Sequence, residues 1–251
     1  MFEITEQDNI TIVKMCHGKV NAMDIEFCDQ MISTLHEFGE QRRPLVLTGN
    51  RAVFSAGVDL KRLIDETETY LDEFLDKMSE MFLTMFEYPA PTVAAINGAA
   101  IAGGCILASG CDYRIISPAG RIGIPELRIG VALPIVAIEI MRFVAAPQKF
   151  QQMISIGATW TGDGAVEAGL ADETCDRKDQ LELAVQKAGE LATIPKEVYR
   201  VCKQQMRAPS VRNMVENLKQ FGGENRQLWH DPENQAVVRA YVEERLTSKK
   251  N

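Results

Sequence analysis

The sequence predicts an α/β fold followed by an all-helical tail. Up to about Ala192, short apolar segments alternate with longer segments whose apolar residues recur every three or four positions. The first pattern is typical of buried strands and the second of amphipathic helices. After Pro195 only the helical pattern occurs. We therefore divide the 251 residues into an α/β core, residues 1–192, and a helical region, residues 193–251.

The N-terminal part begins with a predicted β-hairpin, in which "FEIT" and "ITIVKMC" flank the turn-like "EQDN". "PLVLTGN" predicts a short strand, and "RAVFSAGVDLKRL" predicts a loop that leads into a helix. A strongly amphipathic helix over residues 70–88 ends before two prolines. A helix is also predicted over residues 24–39, where Gly39 provides a stop and the apolar residues at helical spacing are Ile25, Cys28, Ile32, Leu35 and Phe38.

A long uncharged run lies between Glu87 and Asp112. A membrane-spanning helix needs about 20 continuous apolar residues, and Asn97 with the glycines at 98, 103 and 104 interrupts this run. The run therefore predicts a buried strand over residues 91–97, a glycine turn, and a short helix that begins near Gly103.

The remaining segments predict strands at residues 113–117 and 121–125, and then helices at residues 134–144, 148–157 and 179–192. Everything after Pro195 is predicted to be helical. Two tail segments, "YRVCKQQM" and "NQAVVRAYVEERL", carry apolar stripes. Such stripes are usually packing faces, and a subunit interface is the second interpretation.

Composition excludes several classes of function. A net charge of -8 disfavours nucleic acid or an acidic membrane as a partner, because both require a basic face. The six cysteines form no C-x-x-C pair, which indicates reduced cysteines in an intracellular protein. The three histidines are far apart in sequence, so no metal site is expected. The acidic N-terminus shows no signal peptide, and we expect a cytoplasmic protein.

Two glycine-containing loops are candidates for an anion site. "FSAGVDL", residues 54–60, and "AGGCIL", residues 102–107, each lie between an apolar strand and a helix. The first amides of a helix lack intrahelical partners, and glycine lets a ligand approach the backbone closely. Two such turns aimed at one point would form an oxyanion hole. The alternative is that the glycines only permit tight turns. Neither loop fits a dinucleotide, P-loop or nucleophile-elbow motif.

Two carboxylates lie in apolar surroundings. Glu126, in "RIGIPELRIG", has mostly apolar neighbours, which would raise its pKa and let it exchange a proton near neutral pH. The equally good alternative is a helix opening, where Pro-Glu is common. For Glu139, in "PIVAIEIM", the expected role is a salt bridge or a place on a solvated helix face.

Taken together, these segments resemble the enoyl-CoA hydratase/isomerase family. The runs "FSAGVDL", "AAINGAAIAGGCILASGCDYRI", "IGIPELRIGVALP" and "TGDGAVEAGLADE" follow the order and spacing of that family. The resemblance implies a crotonase-like spiral of ββα repeats with a C-terminal helical region that forms a homotrimer or a dimer of trimers. It also implies a part in fatty acid metabolism.

The resemblance implies further that the substrate is an acyl-CoA thioester whose carbonyl oxygen is held as an enolate. Coenzyme A would then be part of the substrate, and no other cofactor is expected. The oxyanion amides would belong to Val58 and Gly103. The basic residues near the CoA nucleotide would be Lys61 and Lys19, although both could instead be ordinary surface lysines. The other residues that the resemblance places against the substrate are Ala56, Gly57, Asp59 and Leu60.

The sequence departs from the hydratase pattern at one position. Where many hydratases have a glutamate after "GGC", this chain has Ile106, while Glu126 matches the second hydratase glutamate. Water addition uses two carboxylates, whereas a double-bond shift needs a single base. The segment from Glu126 to Pro134 also resembles the Δ3,Δ2-enoyl-CoA isomerases, since it reads "LPIVA" where hydratases usually have "PGxGG". The expected activity is therefore conversion of 3-enoyl-CoA to 2-enoyl-CoA with Glu126 as the base.

Other activities remain open at this point. One is a weak hydratase, or a thioester hydrolase or decarboxylase that uses Glu126 or Glu139. Another is a CoA-thioester binder without catalysis. The least favoured is a serine hydrolase on a related fold, with Ser55 or Ser109 as the nucleophile, because no histidine lies near the matched loops.

Overall fold

The computed structural model describes residues 2–51 and 53–248. The strands in these residues are β1 (Phe2–Gln7), β2 (Ile10–Met15), β3 (Ala22–Met23), β4 (Leu45–Thr48), β5 (Val53–Ser55), β6 (Gly57–Val58), β7 (Thr92–Ile96), β8 (Ala99–Ile101), β9 (Tyr113–Ile116), β10 (Arg121–Gly123), β11 (Thr159–Thr161) and β12 (Glu173–Thr174). The α-helices are α1 (Ile25–Glu40), α2 (Leu60–Asp65), α3 (Glu68–Phe86), α4 (Gly103–Ser109), α5 (Ile135–Val144), α6 (Pro147–Ile156), α7 (Gly162–Glu167), α8 (Gln180–Ala192), α9 (Lys196–His230) and α10 (Pro232–Ser248). A 3₁₀ helix spans Glu126–Ile129.

The main sheet has the strand order β1-β2-β4-β7-β9-β12. β1 and β2 form the predicted antiparallel hairpin, and its turn residues Asp8 and Asn9 have φ values of 52° and 64°. The strands from β2 onward pair in parallel. β4 and β7 are buried along their whole length, which explains why their sequences are continuously apolar rather than alternating.

A second sheet has the order β11-β10-β8-β5, and β3 pairs with β6 in a third. The strands that carry the glycine loops belong to these small sheets. The segment predicted as a loop that leads into a helix, residues 51–63, thus contains β5 and β6, and the predicted glycine turn after β7 contains β8, so both predictions were incomplete. Strands of two or three residues are too short to show a hydrophobic period, and only pairing with distant strands defines them.

Local signals set the helix ends. Asp24 caps α1 by accepting the amide of Phe27 at 2.8 Å, and Thr67 caps α3 by accepting the amide of Tyr70. α3 ends at Phe86, before the two prolines, as predicted. The buried faces of α1 and α3 join the largest hydrophobic core cluster, together with the apolar residues of α4 and α5.

A buried ionic cluster attaches the C-terminal helices to the core. Lys203 Nζ and Arg207 Nη2, both on α9, each donate to Asp112 at 2.7 Å, and Lys203 also donates to the Ala90 carbonyl at 3.0 Å. Both cations have only a few per cent of their side chains exposed. Within the described residues, no helix is long and apolar enough to cross a membrane.

Candidate active site

The two predicted glycine loops pack against each other, backbone to backbone. A Cβ atom added to Gly57 would lie 2.6 Å from the Ala102 Cβ and 3.0 Å from the Gly103 amide nitrogen. A Cβ on Gly104 would lie 2.5 Å from the Ser55 carbonyl oxygen. Gly57 has a φ of +85°, which L side chains rarely adopt. Glycine is therefore required at these positions for close approach, and the tight-turn and anion-site interpretations are compatible.

The amide groups at this junction are placed by strand and helix geometry. Val58 lies opposite Met23 in the parallel pair β3–β6, and the Asp59 amide donates to the Met23 carbonyl at 2.9 Å. In a parallel ladder a residue bonds to the two neighbours of the residue opposite it, so the N–H of Val58 is directed away from β3. Gly103 is the first residue of α4, where amides have no intrahelical partner.

A cavity of about 270 Å³ opens beside the junction. Five of the residues predicted from the sequence line it: Ala56, Val58, Leu60, Lys61 and Glu126. Sequence reasoning missed the other lining residues, which are Ile101, Ala102, Pro125, Ile129, Val131, Tyr241 and Val242. The first five of these lie within the recognised motifs, so their position in those motifs could have suggested them. Nothing in the sequence indicates that the last two, on α10, reach this cavity.

Four predicted residues are not among the lining residues. Gly57 and Gly103 are buried in the loop backbone. Asp59 caps α2 by accepting the Arg62 amide at 3.0 Å. Lys19 is exposed in the turn that precedes β3. The substrate-binding roles of these residues therefore stay predictions.

Glu126 is a buried carboxyl with one unpartnered oxygen. It opens the 3₁₀ helix, is 6% exposed, and its Oε2 atom has no hydrogen-bond partner among the described residues. Burial disfavours the ionised form and raises the pKa of Glu126 from 4.5 to about 8. Both interpretations left open by the sequence therefore apply in part. Glu126 does open a helix, and its burial among apolar residues also lets its carboxyl exchange a proton near neutral pH.

Glu139 has a different environment. It lies on α5 with 1% of its side chain exposed, pairs with Arg142 at 3.6 Å, and accepts hydrogen bonds from the side-chain amides of Asn213 and Asn217 on α9. The predicted salt bridge is confirmed, whereas the alternative of a solvated helix face is wrong, because α9 covers this side of α5. Glu139 does not line the cavity.

The position that would carry a second acid is apolar. Ile106 lies in α4 with 2% of its surface exposed. Among the described residues that line the cavity, Glu126 is the one carboxylic acid and Lys61 the one cation. Lys61 is largely exposed and pairs with Asp65 at 2.9 Å, one helical turn away. In the described part of the chain, no group of three or more His, Cys, Asp or Glu side chains is placed to hold a metal ion.

Comparison with known proteins identifies the family. A family model described as "Enoyl-CoA hydratase/isomerase" matches residues 5–250. The chain is 25% identical over 211 residues to human mitochondrial enoyl-CoA delta isomerase 1, which covers 82% of this chain and 70% of that protein.

Two solved structures show the same fold. The human mitochondrial Δ3,Δ2-enoyl-CoA isomerase superposes with a TM-score of 0.93 at 22% identity, covering 100% of this chain and 99% of that one. A probable enoyl-CoA hydratase from Mycobacterium tuberculosis superposes with a TM-score of 0.84 at 28% identity, covering 92% of this chain and 99% of that one. The chain has the crotonase fold and belongs to the enoyl-CoA hydratase/isomerase family.

Proposed function

We propose that this protein is an enoyl-CoA isomerase that converts 3-enoyl-CoA to 2-enoyl-CoA. The observation that carries the proposal is a single buried carboxyl, Glu126, in a cavity whose other side chains are mostly apolar. A double-bond shift requires one group that removes a proton and returns it elsewhere. The described lining of the cavity contains one such group, next to the two loops whose amides can receive an anion.

The proposed reaction uses two parts of the site. The thioester carbonyl oxygen accepts hydrogen bonds from the amides of Val58 and Gly103, which stabilise negative charge as it develops there. The Glu126 carboxylate removes a proton from C2, and the electrons of that C–H bond delocalise over the carbonyl and the C3–C4 double bond as a dienolate. When the carbonyl re-forms, the C2–C3 double bond forms, and C4 takes the proton back from Glu126.

The raised pKa of Glu126 suits this transfer. A carboxylate in water is a weak base, whereas one whose conjugate acid has a pKa of about 8 is better matched to a carbon acid at neutral pH. The apolar lining residues Ile101, Ile129, Val131 and Val242 exclude water from the dienolate. Exclusion of water both strengthens the oxyanion hydrogen bonds and limits hydration.

Hydratase activity is the second candidate, because one of the matched structures is titled a probable hydratase. Hydration would require a water held beside Glu126 by a second acid, and Ile106 occupies the position where hydratases carry that acid. Glu139 cannot substitute, since it lies outside the cavity and is bonded to Arg142 and α9. These observations favour isomerisation over hydration.

A serine hydrolase is disfavoured by the partners of the candidate serines. Ser55 Oγ donates to the Asn21 carbonyl at 2.7 Å and accepts the Gly57 amide at 3.1 Å. Ser109 is fully buried in α4. Neither hydroxyl has the histidine partner that would activate it as a nucleophile.

CoA is proposed to enter as part of the substrate, so no separate cofactor is needed. The exposed ammonium of Lys61 lies at the edge of the cavity, where it can approach a phosphate of the CoA nucleotide. Lys19 lies in the exposed turn before β3 and is the second proposed contact. Each would contribute modestly, because exposed charge pairs are screened by solvent and salt.

The proposed assembly is a homotrimer or a dimer of trimers. α9 leaves large apolar side chains exposed along its length, at Val198, Met206, Leu218 and Phe221. Single exposed apolar side chains are normal on a monomeric protein, but several on one helix form a larger apolar surface. Contact with a second copy of the chain would bury that surface. Light scattering at micromolar concentration should report three or six chains, and a purely monomeric protein would contradict the proposal.

The deciding experiment separates the two activities. Purified protein is incubated with 3-enoyl-CoA and with 2-enoyl-CoA, and the products are identified by chromatography and mass. We expect 3-enoyl-CoA to give 2-enoyl-CoA, with little 3-hydroxyacyl-CoA from either substrate. Glu126→Gln should slow isomerisation by about 10²–10⁴-fold, the usual contribution of a general base. Hydration as the dominant reaction, or a Glu126→Gln variant as fast as the parent, would refute the proposal.

A further inference from the structure

Two paired strands next to the site are each followed by an aspartate that caps a helix. Met23 and Val58 lie opposite each other in β3–β6. The residues that follow them, Asp24 and Asp59, are the N-caps of α1 and α2, and each carboxylate accepts an amide of the helix that it caps. The two helix starts, and the two negative charges on them, are therefore held side by side immediately after Val58.

Arg62 joins these two caps. Its backbone N–H donates to Asp59 Oδ1 at 3.0 Å, and its Nη1 donates to Asp24 Oδ2 at 3.1 Å. Its Nη1 and Nη2 also form a bidentate pair with Glu26, at 2.6 and 2.9 Å. The guanidinium carbon lies 4.9 Å from the centre of the Tyr70 ring. One side chain thus connects the start of α2 with the start of α1 and with α3.

α2 is a short helix whose C-terminal end is held by α10, where Arg239 donates to the Ile64 carbonyl at 2.7 Å. The helix has six residues, of which Leu63 is the buried one. Its first residue, Leu60, and the next, Lys61, line the cavity, and the segment before it carries the Val58 amide. A rotation of α2 about its cap would therefore move the cavity wall and the direction of the Val58 N–H together.

We propose that Arg62 is a positioning residue, which holds the Asp24 and Asp59 caps together and thereby aims the Val58 amide at the thioester oxygen. This inference rests on the oxyanion role given to Val58 in the proposed function. Arg62 acts through the loop and does not itself contact substrate. Arginine suits the task better than lysine, because its planar fork can bind a carboxylate bidentately while it stacks on an aromatic ring.

The test compares two CoA thioesters of equal chain length. Acetoacetyl-CoA has acidic C2 protons and can bind as an enolate, whereas butanoyl-CoA binds as a neutral thioester. Hydrogen bonds to a charged oxygen are about twice as strong as those to a neutral one. A displacement of the oxyanion amides should therefore weaken binding of the enolate more than binding of the neutral thioester. Dissociation constants of both ligands, and the enolate absorbance of the first, are measured for the parent, Arg62→Met and Arg62→Lys.

We expect Arg62→Met to weaken acetoacetyl-CoA binding at least about 10-fold and butanoyl-CoA binding less than about 2-fold, since a displacement of about 1 Å in a catalytic group can cost about 100-fold. The loss of acetoacetyl-CoA affinity in Arg62→Lys should be smaller than in Arg62→Met, because lysine keeps the positive charge but lacks the planar guanidinium. In the isomerase assay the same variants should lower kcat more than they raise KM. Equal weakening of both ligands, or no change in either, would overturn the positioning role.

Arg226→Met is the matched control. Arg226 also bridges two carboxylates, those of Asp72 and Asp76, but it joins α9 to α3 and does not contact the glycine loops. Its replacement should leave the ratio of the two affinities unchanged, and a comparable change in that ratio would assign the Arg62 effect to general destabilisation.

If the parent prefers acetoacetyl-CoA yet does not isomerise 3-enoyl-CoA, only the proposed function fails. If the parent shows no preference for the enolate ligand, both proposals fail.

Discussion

Replacing Glu126 with glutamine should stabilise the protein increasingly as the pH rises. Below about pH 4.5 the carboxyl is protonated in both the folded and the unfolded chain, so its burial does not make the free energy of unfolding change with pH there. Between pH 4.5 and about 8 the unfolded chain releases the proton and the folded chain retains it, because burial raises the pKa. The free energy of unfolding of the parent therefore falls over this range, and above about pH 8 it falls no further from this cause.

The magnitude follows from the two pKa values. The difference between 4.5 and about 8 corresponds to a deficit of about 5 kcal/mol, at about 1.4 kcal/mol for each tenfold change in the ionisation constant. About 4 kcal/mol of this difference develops between pH 5 and pH 9. Glutamine stays neutral throughout and keeps the shape of the side chain, so Glu126→Gln should not show this fall.

Urea unfolding at pH 5, 7 and 9 measures the effect directly. The parent should lose about 4 kcal/mol relative to Glu126→Gln between the outer two values. Glu37→Gln, on the exposed face of α1, is the matched control and should follow the parent. Parallel curves for the parent and Glu126→Gln would refute the claim that Glu126 is buried without a counter-charge. The same ionisation predicts that kcat/KM of the parent rises with pH and levels off above about pH 8.

Three further substitutions test other parts of the structure. Ile106→Glu should allow measurable hydration of 2-enoyl-CoA while it destabilises the fold by a few kcal/mol, because it adds a buried carboxyl; no gain in hydration would show that a second acid is insufficient. Gly57→Ala should reduce isomerisation by at least about 10²-fold, because the new Cβ would lie 2.6 Å from the nearest side chain, whereas Gly223→Ala, with nothing within 4 Å, should leave the rate unchanged. Asp112→Asn should cost about 3–5 kcal/mol in urea unfolding, since it leaves buried cations without their counter-charge. Adding Lys203→Met to Asp112→Asn should recover part of that loss, and a double variant no more stable than the single one would contradict this explanation.

The sequence alone determined the parts of the site whose signals are local. Glycines in a loop between a strand and a helix indicate that the backbone is closely approached there, and Gly57 and Gly104 lie in such close contacts. The apolar neighbours of Glu126 made burial one of two equally weighted interpretations, and the hydrophobic periods of α1, α3 and α8 predicted those helices. These features depend on residues a few positions apart, so a single sequence contains the information.

The tertiary structure decided what depends on pairing between distant segments. β3 and β6 exist because residues 22 and 23 meet residues 57 and 58, and neither segment has a period of its own. Two carboxylates in similar apolar sequence contexts differ because α9 brings Asn213 and Asn217 to Glu139 and brings no partner to Glu126. α10 reaches the cavity through Tyr241 and Val242. Hydrogen bonds, desolvation and cavity walls are properties of neighbours in space, and a chain position specifies those neighbours only after the whole chain has folded.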